Sequence, residues 1–201
     1  MMLRAWNRFW FAPGSASALG ICRLVFFTWL SVWMSRRNFV LAGEYTSVLW
    51  MPIWFLDNLS LPGLTTNALA SIQWVWRIAL ALSAVGYLTR VSMPVAFVLG
   101  AYLLGLWPNF GPPHYIDTLV VIATGGLALS RAGDAWSIDA LVAAASLRRA
   151  GPPPASGHYR WPIRFVWVAT ALVVCVAGIS QLRQSGLHWT LSDSLSMFLH
   201  R

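Results

Sequence analysis

The chain has 201 residues, 58% of them hydrophobic and 10% charged, with 13 tryptophans. A soluble domain could not hide that much apolar surface in one core, so the composition excludes one and points to lipid as the solvent. The formal net charge is +8, yet the basic residues stand singly or in pairs and never form a stripe, which speaks against a nucleic-acid partner and fits placement at membrane edges. All 14 basic residues are arginine, so lysine chemistry is closed to the protein.

A helix needs about 20 mostly apolar residues to cross about 30 Å of hydrocarbon. The start, MMLRAWNRFWFAPGSASALG, has two arginines and then an apolar run too long and aromatic for a cleaved signal peptide, so it reads as the first span. Five spans are expected, at 16–34, 68–89, 93–107, 115–130 and 162–182, the third and fourth being short. Between the first two, VLWMPIWFL is apolar but broken by Pro52, and reads as an interfacial or re-entrant piece. After the fourth span, SIDALVAAASL has helical periodicity behind Ser137 as a cap and ahead of Arg148 and Arg149, which predicts a short surface helix. AGPPPASGHYRWP reads as a linker, because consecutive prolines prevent a helix.

The fold class expected is therefore all-α: a polytopic membrane bundle of about five transmembrane helices plus interfacial helices, one domain over 1–201. The end, HWTLSDSLSMFLHR, is amphipathic without a stop signal, so the chain reads as a C-terminally truncated piece of a longer protein. With the N-terminus inside, Arg4, Arg8, Arg90, Arg131, Arg148, Arg149, Arg160 and Arg164 lie on the inner side, against Arg36, Arg37, Arg183 and Arg201 outside. That excess favours a cytoplasmic N-terminus. The partner the composition implies is the lipid bilayer; a protein partner is not specified.

Arg23 and Arg77 fall well inside the first and second spans, where an unpaired charge costs about 2.5 to 3.5 kcal/mol. Both are expected to face the bundle interior, either for packing alone or as part of a site. Asp117, at the start of the fourth span, is the acid nearest the membrane interior and the first partner to expect for either arginine. His114 precedes Asp117 by three residues, which puts both on one face at the mouth of that helix, a spacing suited to proton transfer or ligand contact. GDAWSID, residues 133–139, reads as a structural turn with Ser137 as helix cap. Gln181 ends the fifth span as an uncharged donor and acceptor. Cys22 and Cys175 read as small hydrophobes, and no His or Cys pair has metal-ligand spacing. Phosphate-loop, nucleophile-elbow and zinc-protease patterns are missing.

In their order, LGICRL in the first span, HYIDTL opening the fourth, DAWSIDAL after it and AGISQLRQSGLHW closing the fifth resemble the HTTM (horizontally transferred transmembrane) family, bacterial membrane domains related to the vitamin K-dependent gamma-carboxylase. The resemblance implies spans around a pocket open to the membrane and the outer side. It implies a reduced, vitamin K-like quinone as the cofactor class, with His114 at the position of a family histidine near the quinone. The family's basic lysine falls on Gln181, and an amide has no basic lone pair at neutral pH. The expectation is thus an inner-membrane protein of HTTM type, with a pocket for a quinone-like or lipidic small molecule built from Arg23, Arg77, His114, Asp117 and Gln181, without lysine-based carboxylation. The alternative is a non-enzymatic accessory or immunity-type membrane protein. A transporter is disfavoured for want of an internal repeat.

Overall fold

The protein is seen in a computed structural model that describes residues 2–44, 64–106, 115–147 and 153–185. It is all-α, with helices α1 (Met2–Phe11), α2 (Ala16–Ser35), α3 (Thr66–Val85), α4 (Thr89–Leu106), α5 (Tyr115–Ala128), α6 (Ile138–Leu147) and α7 (Trp161–Ser185). Ala16–Ser35, Thr66–Val85, Thr89–Leu106 and Gly157–Ser180 are long and apolar enough to cross a membrane, and Ile116–Ala128 is apolar but shorter. The expected interfacial segment VLWMPIWFL, the turn before α5 and the C-terminal HWTLSDSLSMFLHR lie outside the described residues.

The chain divides into two compact units, Met1–Val166 and Trp167–Arg201. Within the first, α3 packs between α2 and α4, and α4 packs between α3 and α5. The α2 residues Leu19, Arg23, Phe27, Leu30 and Met34 recur at intervals of three and four, and all are buried, so one stripe of the helix faces its neighbours. Against it lie Leu69, Trp76, Ala79 and Leu80 of α3, and Met93, Ala96 and Leu103 of α4 complete the core. The outer faces are apolar too: Val25, Trp29, Val32, Val75, Ile78 and Val98 are all more than 45% exposed. Such a surface is at rest in hydrocarbon and not in water. The described part of the second unit is the remainder of α7, whose Trp167, Leu172, Val174, Val176 and Ile179 are likewise exposed.

Boundaries follow local chemistry. Pro13-Gly14 separates α1 from α2, so the first residues form a helix of their own and are not part of the first span that the apolar run suggests. Ser15 caps α2 by accepting from the Ser17 amide. Gly86 ends α3 in the left-handed region at φ 75, where its N–H and that of Tyr87 bond to the Leu82 carbonyl. Leu88, at φ 48, completes the reversal into α4. This hairpin makes α3 and α4 antiparallel, and α4 begins at Thr89 rather than at the expected 93. Pro94 is tolerated in its second turn. Beyond α2 the chain does not continue as helix: a 3₁₀ turn at Val40–Glu44 packs on α3, with Phe39 edge-on to Trp76 and Gly43 against Thr66.

Candidate functional site: two arginine clusters in the bundle

The first cluster surrounds Arg23, whose side chain is fully buried. Its Nη2 donates to the Trp136 carbonyl at 2.6 Å, and the guanidinium lies directly against Gly86, where a Cβ would collide with it. The residues that receive it belong to the turn ahead of α6. Ser137 caps that helix, accepting from the Ala140 amide at 2.8 Å and donating to the Gly133 carbonyl. Trp136 adopts φ 53. Asp139 reaches across to the start of α4, accepting from the Leu88 amide at 2.9 Å and from the Thr89 amide and hydroxyl at 2.7 Å. A carboxylate there satisfies helix N–H groups that have no partner of their own and meets the positive end of the helix dipole. Burial pushes the Asp139 carboxyl up, but those hydrogen bonds and the Arg23 charge outweigh it and hold it below the usual carboxylate range. Asp134 accepts from the Tyr159 hydroxyl at 2.8 Å. The whole turn thus locks α2, the α3–α4 hairpin and the chain leading into α7.

The second cluster lies where α2 ends. Ser35 is twelve residues beyond Arg23 on α2, about 18 Å along the axis. Arg37 Nη1 sits 2.9 Å from both carboxylate oxygens of Asp117, with side chains 30% and 6% exposed respectively. Arg77 reaches in from α3 and donates through Nη2 to the carbonyls of Ser35 at 3.1 Å and Arg37 at 2.9 Å. These are carbonyls at a helix C-terminus, so a cation there is favoured by both hydrogen bonding and the helix dipole. One turn earlier on α3, buried Gln73 accepts from the Phe39 amide at 2.7 Å. Two indoles flank the charges: Arg37 lies 4.8 Å from the Trp33 ring centre and Arg77 5.4 Å from that of Trp74.

Donors are left over. Asp117 engages only Nη1 of Arg37, and Arg77 Nε is buried with no hydrogen-bond partner among the described residues. With two guanidinium groups against one carboxylate, the cluster carries a surplus positive charge among the described residues.

Of the residues singled out from sequence, Arg23 belongs to the first cluster, Arg77 and Asp117 to the second. The expected Arg–Asp pair forms with Arg37, which the sequence marked only as an outer flanking arginine; neither Arg23 nor Arg77 bonds to Asp117. His114 lies outside the described residues, and Gln181 is on α7 with its side chain outside them. Asp139 and Asp134 were covered only as parts of a motif. Among the described residues no three His, Cys, Asp or Glu side chains gather to hold a metal. No protein-family model matches the chain, and no curated protein or solved structure matches it either.

Proposed function

We propose that the protein is a bacterial inner-membrane protein of HTTM type, with its N-terminus in the cytoplasm, whose Arg37–Asp117–Arg77 cluster receives the polar head of a quinone-like ligand. The observation that carries the reading is an arginine–aspartate pair at the mouth of α5, with further guanidinium donors unused and an indole beside each arginine. Unused N–H groups of Arg37 and the Nε of Arg77 suit a carbonyl or hydroxyl oxygen. Trp33 and Trp74 suit a flat ring. An apolar tail would find hydrocarbon on every side. His114, three residues before Asp117 in the sequence, stands where the family resemblance places a histidine near the quinone.

Gln181 stands at the sequence position of the family's lysine and supplies no base, so the ligand is bound without lysine-driven carboxylation. The test uses the full chain in lipid nanodiscs, titrated with a short-chain naphthoquinone and read by tryptophan quenching. Saturable binding, weakened tenfold or more by Arg37→Met and by Asp117→Asn, is expected. The unmodified protein should carboxylate no glutamyl peptide in the presence of the reduced quinone. Absence of saturable binding would remove the ligand-site reading and leave the non-enzymatic accessory protein.

A further inference from the structure

The described residues of α1 use none of their side chains in the core: no residue of Met2–Phe11 is buried. On a helical projection Met2, Leu3, Trp6, Phe9 and Trp10 occupy one arc of about 120°, and Arg4 and Arg8 stand opposite its centre. Trp6 is 61% exposed and Leu3 79%. A ten-residue helix is not stable in water by its own hydrogen bonds, so α1 needs a surface along its length. The bundle holds only its end. Arg164 lies 4.6 Å from the Phe9 ring centre, Gly14 and Ser156 exchange two backbone hydrogen bonds of 3.0 Å, and the Phe11 carbonyl sits against Gly157.

Those tethers put α1 at the end of the bundle where Arg90, Arg131, Arg160 and Arg164 also lie. The acids described there, Asp134 and Asp139, are both engaged, with Tyr159 and with the start of α4. Among the described residues that end therefore carries more arginine than acid, and the apolar arc of α1 is aromatic, the composition that settles at the headgroup level.

We propose that α1 is an in-plane anchor that binds anionic phospholipid, with Leu3 and Trp6 at the acyl boundary and Arg4 and Arg8 on lipid phosphates. The proposal is independent of the ligand site at the other end of α2. It commits to lipid rather than to a protein partner because the arc is opposed by charges of one sign. Each arginine near an anionic surface contributes roughly a fivefold gain in affinity, about 30-fold for the pair.

The experiment measures amide hydrogen exchange of the α1 segment in the full-length protein, in nanodiscs of phosphatidylcholine alone and with one quarter phosphatidylglycerol. Exchange over residues 3–11 should slow by roughly 30-fold on adding phosphatidylglycerol. Arg4→Gln/Arg8→Gln should abolish that dependence while exchange in α2–α5 stays unchanged, and half-molar salt should weaken it in the parent protein. Equal protection in both lipids, as an apolar or protein contact alone would give, overturns the proposal. So does absence of protection in both, or a lipid dependence that survives loss of both arginines.

Discussion

The Arg37–Asp117 pair can be weighed by a double-mutant cycle. Removing one member of a buried ion pair costs about 3 to 5 kcal/mol, because the remaining charge is stranded. Arg37→Met leaves a carboxylate only 6% exposed, whereas Asp117→Asn leaves a guanidinium still 30% exposed. We expect about 3 kcal/mol for Arg37→Met and about 2 for Asp117→Asn, the second discounted because Arg37 still reaches solvent or headgroups. The double variant strands neither charge and should cost about 2 to 3 kcal/mol, well short of the sum, leaving a coupling of about 2 kcal/mol. Reversible unfolding in bicelles by added dodecyl sulfate, followed by tryptophan fluorescence, reads all four corners. A coupling under about 0.5 kcal/mol, or Asp117→Asn costing more than Arg37→Met, would refute the reasoning from burial.

Other outcomes follow from the first cluster and from the arginine distribution. The carboxyl of Asp139 is held below its ordinary value of 3.8, so its contribution is present above about pH 4 and is lost as pH falls through the depressed folded value. Asp139→Asn should cost about 1 to 2 kcal/mol at neutral pH and flatten the acid limb of a stability profile; a limb as steep as the parent's would contradict the capping role. Gly86→Ala combines a positive φ with a collision against Arg23, and should cost about 2 kcal/mol or more in the same unfolding assay. A phosphatase reporter fused to the N-terminus should be inactive in cells and one placed in the loop after α2 active; the reverse pattern would overturn the cytoplasmic N-terminus.

Sequence patterning located the apolar helices well, because twenty-residue apolar runs have few competing explanations. The turn between the second and third spans, expected at 90–92, lies at 86–88, because Tyr87 and Leu88 are as apolar as span residues, so α3 ends at Val85 and α4 starts at Thr89. What makes helix there is a carboxylate fifty positions later, which no local window contains. Helix α1 has no separate signal in the sequence, where its apolar residues run on into those of the first span across only Pro13-Gly14. The buried arginines were visible as anomalies, but their partners were not. Arg23 is met by a main-chain carbonyl of Trp136, presented by a positive φ with no sequence signature. Arg37 followed a span with a second arginine beside it and so looked like a headgroup anchor, and its tie to Asp117 spans eighty residues.

The difference between the two clusters argues for where a ligand would enter. Arg23 is fully buried, pressed on Gly86 and held by the turn before α6; its Nε and Nη1 also lack a hydrogen-bond partner among the described residues, but no part of the side chain is exposed. At the other end, α2 stops and α5 starts while α3 is still helical. Arg77 lies eleven residues into α3, about 16 Å from its first residue, and its side chain leans about 6 Å back toward that end. The carbonyls it meets, and hence Arg37 and Asp117, lie roughly 10 Å inside the length of α3. Helix α2 is also 20 residues long, about the thickness of the hydrocarbon, so Arg37, two residues past its end, stands near the boundary of that layer, where an arginine also meets headgroups. Asp117 satisfies one nitrogen, and the proposed ligand site rests on the donors that remain.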